Sequence, residues 1–360
     1  TGNELANSIF GNSGNNSLNG LGGNDTIFGN DGNDTLTIGM DNACYSGGDG
    51  DDSFLLGDGN QVGPLPAGGV NTVNGGSGTD ALVFTANPGA GNELLGDWQM
   101  VNVSGVEIIQ AASITGNFIT IGLNALASGV LTLKGGAAGG DMLSAAGYTT
   151  SNAKTTIDAS GSALGSTLIA GQGDPAFTGG NTLLGGSGSD LIQVATSAVL
   201  NNASIVGGNG NDTVQVTTDA QVVGDTDLDS LSGIEALRLA NGANSITLGD
   251  KARGIATVAG GLDLVTTGSG SDTLTATSAF GTTGISLDGG AGDDRFAFET
   301  ATQMAAAILV GGLGTDTLAL GQATLLGNDN AFQNISGMDV LQAAATGESS
   351  FVLDAAAWRT

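Results

Sequence analysis

Residues 2–55 divide without insertion into six consecutive nonapeptides: GNELANSIF, GNSGNNSLN, GLGGNDTIF, GNDGNDTLT, IGMDNACYS and GGDGDDSFL. So short a period limits the possible folds severely, because each unit must bury its apolar residue against the next copy of itself. The eighth position is always large and apolar: Ile9, Leu18, Ile27, Leu36, Tyr45 and Phe54. The sixth reads Asn7, Asn16, Asp25, Asp34, Ala43 and Asp52. A carboxylate position thus stands two residues ahead of a core position. The glycines before it allow positive φ and bring backbone carbonyls close together.

Composition narrows the chemistry. Of 360 residues 65 are glycine, and 35 acidic residues face 7 basic ones for a net charge of −28. Disorder is excluded, because 40% of residues are hydrophobic and they recur in short clusters between turn-forming stretches. There is no histidine, and Cys44 is the single cysteine. That removes Ser/His/Asp and Cys/His catalysis, haem, His- or Cys-ligated zinc and any internal disulfide. So anionic a chain repels phosphate backbones, which argues against nucleic acid and anionic membranes as partners. No apolar run approaches the roughly 20 residues of a bilayer span, and nothing after Thr1 resembles a signal peptide. The expectation is no membrane insertion, and export by another route. The remaining staple is a metal. A hard cation such as Ca²⁺ takes six to eight oxygens at about 2.3–2.6 Å, which clustered carbonyls plus one Asp per turn supply.

The pattern resembles the GGxGxDxUx nonapeptide of RTX, or hemolysin-type calcium-binding, proteins. The resemblance implies a parallel β-roll in which six residues form a turn and three a strand. Two nonapeptides then complete a coil, and like turns stack 18 residues apart with calcium between them. On one edge Asn7, Asp25 and Ala43 would stack; on the other, Asn16, Asp34 and Asp52. The implied ligands are these Asn and Asp side chains with first- and third-position groups, Gly29 and Asp31, then Gly47 and Asp49. Ala43 departs from the pattern and puts a site beside Asp25 in doubt.

The nonapeptide recurs singly at 75–83, 185–193, 207–215, 267–275, 289–297 and 311–319. Asp190 to Asp212, Asp272 to Asp294 and Asp294 to Asp316 are each 22 residues apart. These spacings predict coils four residues longer than the simple one, with the insertion on the edge opposite the Asp-bearing turn. Asp190 would stack on Asp212, and Asp272 on Asp294 on Asp316. By the same resemblance Gly185 with Ser187, Gly207 with Asn209, Gly289 with Ala291 and Gly311 with Leu313 join the ligands. Asp80 is a candidate ligand too, although it and Asp141 lack a partner at coil spacing. Degenerate half-repeats at 66–74, 176–184 and 258–266 would supply return strands. Ala301 to Leu309 favours helix by composition, and at most one helical turn is expected there. The fold class is all-β: a parallel β-roll or β-helix solenoid with short lateral loops or helical turns. Residues 1–64 would form the tandem roll and 65–360 an expanded solenoid.

A longer repeat overlies the short one. SGVEIIQAA (104–112), SGIEALRLA (232–240) and SGMDVLQAA (336–344) align without gaps, each followed by a β-type cluster, at Ile119–Ile121, Ile246–Leu248 and Phe351–Leu353. Three modules begin near 75, 207 and 311, and the last breaks off at Thr360. That predicts a fragment of a longer protein, with an atypical capping end as the alternative. The acids Glu107, Glu235 and Asp339 recur at one position, where capping a turn or staying solvated is the expectation; separate modules offer no catalytic dyad. Cys44 has no cationic neighbour to activate it. Arg238, Lys251 and Arg253 form the densest basic patch, expected to be a solvated face.

The alternation of RTX turns with SGVE-type segments is similar to surface-layer proteins of Gram-negative bacteria, the Caulobacter type in particular. The two resemblances imply a non-enzymatic, secreted, calcium-binding structural protein of the bacterial cell surface. It would leave by type I secretion, fold on calcium and self-assemble as a homo-oligomer or lattice, with any polysaccharide anchor outside the fragment. The alternative is a calcium-binding region of a larger secreted enzyme, toxin or adhesin.

Overall fold

The computed structural model describes residues 1–57, 59–63, 69–86, 94–149, 154–171, 180–254, 262–280, 284–322, 325–326, 329–344 and 350–351. They form two compact units, Thr1–Asp190 and Leu191–Thr360. Both are built from short parallel strands, as the RTX resemblance implies for a β-roll or β-helix solenoid.

In the first unit each of the six tandem nonapeptides leads into a strand of three or more residues whose second residue is the eighth position. Ser8–Phe10, Thr26–Asp31, Cys44–Asp49, Thr72–Ser77 and Val103–Ser104 lie side by side in one sheet. Ser17–Asn19, Thr35–Thr37, Ser53–Leu56, Ala81–Phe84 and Ile108–Gln110 form a second, continued by Thr132–Lys134, Thr156–Asp158 and Thr182–Leu184. The registers Ser8↔Thr26↔Cys44 and Ser17↔Thr35↔Ser53 keep the 18-residue step. A third sheet holds Leu95–Gly96, Phe118–Thr120, Met142–Ser144 and Thr167–Ile169. Its last three strands alternate along the chain with the second sheet's Thr132–Lys134, Thr156–Asp158 and Thr182–Leu184.

Strand centres stack because like side chains recur at like heights. Ile27, Leu36, Phe54, Leu82, Ile109, Ile157 and Leu168 are fully buried. Each contributes roughly 1.5–3 kcal/mol of apolar transfer. Flanking positions carry Ser, Thr and Asn, so an alternating pattern stabilises a coil that buries only one side of each strand.

The second unit repeats the plan. Leu191–Val194, Thr213–Val216, Ala236–Leu239, Leu264–Thr266, Ser286–Asp288, Ile308–Val310 and Ile335–Ser336 make one sheet. Val222–Val223, Ser245–Leu248, Thr273–Ala276, Arg295–Phe298, Thr317–Leu320 and Val340–Gln342 make the other. Ser204–Val206 pairs Leu231–Ser232. Thr273↔Arg295↔Thr317 confirms the 22-residue coil. The extra residues lie opposite the Asp-bearing turn, as the spacing predicts. There the helix Ala301–Ala306 connects Arg295–Phe298 to Ile308–Val310.

That helix corrects the expectation of a single helical turn. Six residues are helical because Thr300 and Gln303 cap each other reciprocally and Met304 is buried. Two other lateral helices, Leu123–Ser128 and Asp250–Gly254, are anchored by one preceding carboxylate each. Asp97 accepts the N–H groups of Gly122 and Ala125 at 2.7 and 2.9 Å, and Asp225 accepts those of Gly249 and Ala252 at 2.6 and 3.1 Å. The return strands expected from the three half-repeats form at Thr72–Ser77, Thr182–Leu184 and Leu264–Thr266. The earlier parts of those half-repeats, together with Val352 and Leu353, lie outside the described residues.

Candidate metal centres

Each sixth-position residue sits one place ahead of a strand, where the chain leaves a tight turn. The turn depends on glycine. Gly48, Gly76, Gly290 and Gly312, at position two, have φ between +87° and +120°; Gly50, Gly78, Gly292 and Gly314, at position four, lie between +130° and +135°. A Cβ at any of them would strike a backbone carbonyl of the preceding coil. Carbonyl oxygens are thereby packed along the edge as tightly as backbone permits.

The acids form hydrogen-bonded columns. The carboxylate of Asp34 accepts the N–H of Asn16, Asp52 that of Asp34 and Asp80 that of Asp52, all at 2.7 Å through Oδ1. On the neighbouring edge Asp25 accepts the N–H of Asn7 at 2.8 Å. In the second unit Asp272 accepts from Asn244 at 2.6 Å, Asp294 from Asp272 at 2.8 Å and Asp316 from Asp294 at 2.9 Å. The side chains are buried, between 0% and 3% exposed.

In six of these acids only one oxygen is used. The Oδ2 atoms of Asp34, Asp52, Asp80, Asp272, Asp294 and Asp316 are buried without a hydrogen-bond partner. A buried carboxylate oxygen lacking a donor is strongly disfavoured unless a cation or proton meets it. Burial raises Asp52, Asp80, Asp272, Asp294 and Asp316 against the opposing pull of the hydrogen-bond donors. Asp80 goes from 3.8 to about 6, with Asp52, Glu107 and Asp51 repelling its charge. Asp294 goes to about 7, with Asp272, Asp316 and Asp293 repelling. Asp52, Asp272 and Asp316 are raised also, chiefly by burial. The described ion pair, Lys251 Nζ to Asp229 Oδ1 at 2.8 Å, lies away from the columns and between exposed side chains.

The free oxygens face other oxygens. A Cβ at Gly29 would collide with both Asp34 Oδ2 and the carbonyl of Gly47; at Gly47, with Asp52 Oδ2 and the carbonyl of Gly75. First-position glycines therefore leave open the space between a carboxylate and the next coil's carbonyl. Third-position carbonyls of Asp49, Ala291 and Leu313 each accept one N–H, from Gly32, Gly270 and Gly292, and keep a second lone pair. The Asp31, Asp49, Asn209 and Leu313 side chains point outward, so those residues could contribute only backbone oxygen. Among the described residues no group of three or more His, Cys, Asp or Glu side chains gathers as a metal cluster. A donor set of carbonyls with one buried carboxylate per turn fits a hard cation, and calcium bound there would supply charge neutralisation and cross-link successive coils.

Not every sequence-predicted ligand is equivalent. Asn7 and Asn16 accept N–H groups from Asn3 and Asn12 with Oδ1, so the columns begin on neutral side chains. Beside Asp25, Ala43 offers no side-chain oxygen; its N–H goes to Asn71 Oδ1, 28 residues on, at 2.9 Å. Asp190 accepts the N–H of Ser166 through Oδ1 and of Gly186 through Oδ2, while Ser187 N–H bonds the carbonyl of Ser162. Gly185 is buried within this turn. Asp141 likewise has both oxygens engaged, by Asn117 and Gly136. Asp212 and Gly207 stand at the equivalent place in the second unit. Gly289 and Gly311 border Asp294 and Asp316 as Gly29 borders Asp34.

One expectation needs correction. Asp80 does have coil partners: the coil between Asp52 and Asp80 is 28 residues long, because an excursion through Gly59–Gln61 lengthens it. Of the two outcomes expected for the SGVE acids, the structure shows capping. Glu107 Oε2 accepts the N–H of Asp80 at 2.8 Å, Glu235 Oε2 that of Asp212 at 2.7 Å and Asp339 Oδ2 that of Asp316 at 2.9 Å. The signal was present in the sequence. Each acid stands two residues before a strand-centre apolar residue, Ile109, Leu237 or Leu341, in the relation that Asp has in the nonapeptide.

A family model of the RTX calcium-binding nonapeptide repeat matches in four copies, over residues 1–36, 176–193 and 202–216. The chain carries RTX calcium-binding nonapeptide repeats. RTX nonapeptides bind multiple Ca²⁺ ions, and proteins that carry them are generally secreted and extracellular. The stacked turns of this chain continue well beyond the matched residues, through Asp52, Asp80, Asp272, Asp294 and Asp316. No curated protein matches the chain. No helix among the described residues is long and apolar enough to cross a membrane.

Proposed function

We propose that this protein is a structural component of the bacterial cell surface, exported by type I secretion, that folds when calcium enters its columns and self-assembles into a surface layer or similar coat. The observation that carries the calcium-dependent part is the set of buried, donorless Oδ2 atoms of Asp34, Asp52 and Asp80 in the first unit and Asp272, Asp294 and Asp316 in the second. Binding to the folded state alone adds RT ln(1 + [Ca]/Kd) per site, about 2.7 kcal/mol at 100 times Kd. A few such sites match the roughly 5–15 kcal/mol net stability of a typical domain. Extracellular modules bind near 10⁻⁴–10⁻³ M, which ties folding to the outside of the cell.

Assembly rather than catalysis is supported by a thrice-repeated module, a chain without histidine, and apolar side chains left in solvent. Phe10 and Phe28 stack at 5.3 Å and are exposed, as are Leu5 and Leu21. The partner we propose is a second copy of the chain. Electron microscopy of purified protein with and without millimolar calcium tests this. Ordered sheets or filaments that appear only with calcium are expected; monodisperse particles under all conditions would refute the assembly.

A further inference from the structure

We propose that the three SG-x-acid turns are not mere ends of the columns but each complete a further calcium site, with Glu107, Glu235 or Asp339 as its closing carboxylate. The proposal rests on calcium filling the RTX columns and extends it to turns that lack the nonapeptide and lie outside the family match.

The geometry repeats in three places. Between ordinary coils, the space beside a first-position glycine is flanked by that turn's Asp Oδ2 and the next coil's glycine carbonyl, as at Gly29 with Asp34 and Gly47. At the column ends a different residue takes the second role. A Cβ at Gly75 would strike Asp80 Oδ2 and the carbonyl of Gly105; at Gly207, Asp212 Oδ2 and the carbonyl of Gly233; at Gly311, Asp316 Oδ2 and the carbonyl of Gly337. Gly105, Gly233 and Gly337 share one left-handed conformation, with φ of +59°, +63° and +66°. That conformation, which only glycine adopts cheaply, aims the carbonyl at the last RTX turn.

The closing acid then reproduces the column's hydrogen bond. Glu107, Glu235 and Asp339 each accept the backbone N–H of the last RTX aspartate, as an Asp does elsewhere in the column. Neutral groups would suffice for that bond alone, and the column starts show as much, where Asn244 accepts the N–H of Gln221. Yet all three column ends bring a second carboxylate beside an acid that is already fully buried. Asp80 and Asp316 are 0% exposed, and their Oδ2 atoms have no donor. Two carboxylates and a convergent carbonyl without a cationic side chain make a half-built oxygen cage for a divalent ion. The acid at each end supplies the charge that a following RTX turn would otherwise bring.

The test uses the full chain and calcium itself. Ions bound per chain in millimolar calcium are counted by native mass spectrometry and titrated against a chromophoric chelator, for the parent, E107Q, E235Q and D339N. The amide oxygen of each variant still accepts the backbone N–H, so a cap survives while the charge is lost. Each folded variant is expected to hold one ion fewer, or to bind one ion at least about tenfold more weakly, equivalent to about 1.4 kcal/mol. Parent-like count and affinities in the folded variants would overturn the proposal while leaving the RTX sites intact. A parent that binds no calcium would overturn this inference and the calcium reading beneath it together.

Discussion

Replacing Asp294 with Asn should move stability in opposite directions depending on calcium. Asp294 is 1% exposed; Oδ1 accepts the N–H of Asp272 at 2.8 Å, and Oδ2 has no donor. Asn keeps the accepting oxygen and removes the charge. Without calcium, the ordinary acid is pushed from 3.8 to about 7 by burial and by Asp272, Asp316 and Asp293. A group with its folded value raised contributes most below its unfolded value, and that contribution is lost as pH rises through the folded value. At pH 8 the ionised side chain therefore destabilises the folded state. The rise corresponds to at most about 4 kcal/mol. Water at the open turn edge screens part of it, so the expected gain for the variant in chelator is about 1–2 kcal/mol. With calcium at 100 times Kd the sign reverses, because one site is lost and with it about 2.7 kcal/mol. Urea unfolding at pH 8, in chelator and in millimolar calcium, measures both arms. A change of the same sign in the two conditions would refute the reasoning.

Further outcomes follow from the same geometry. Without calcium, folded-state stability should rise as pH falls from 8 toward 5, because Asp80 and Asp294 take up protons near 6 and 7; a denaturation midpoint that falls over that window contradicts it. Gly292→Ala places a methyl group against the Gly270 carbonyl at a φ of +131°, and should cost about 2 kcal/mol or more by urea unfolding in calcium. Asp141→Asn should leave the calcium count unchanged, since both carboxylate oxygens already accept N–H groups, and lower stability by about 1 kcal/mol; a lost ion in native mass spectrometry would reassign Asp141 as a ligand. Phe296→Ala removes a fully buried ring from the second unit and should lower stability by about 3–5 kcal/mol without altering the ion count of the folded protein.

The period of the chain carries most of the fold. Nine-residue spacing with an apolar residue at the eighth place predicts Ile27, Leu36 and Phe54 at strand centres, where they are fully buried. The 22-residue steps likewise foretell the column from Asp272 to Asp316, since a solenoid tolerates insertions only where they leave strand register untouched. Asp80 escaped that arithmetic because its coils, 28 residues back to Asp52 and 27 on to Glu107, absorb lateral excursions of irregular length. Spacing reports stacking only when the loops are uniform. Hydrogen bonding was less legible still. Asp141 and Asp190 sit in turns much like that of Asp294, yet differ from it in having N–H donors on both oxygens. That difference depends on turn conformation: in 136–141 and 186–190 the chain folds its own N–H over the carboxylate, at Gly136 and Gly186. Glu107, Glu235 and Asp339 were visible as a repeat, but their longer or shifted reach to an aspartate N–H becomes apparent only once the coils are stacked.

A crystal structure of the chain grown in millimolar calcium tests the central claim most directly. Ions should stand beside the Oδ2 atoms of Asp34, Asp52, Asp272 and Asp294, bridged to glycine carbonyls of the adjoining coil, with anomalous signal at each. Well-ordered turns in which those oxygens meet only protein donors or water would contradict it.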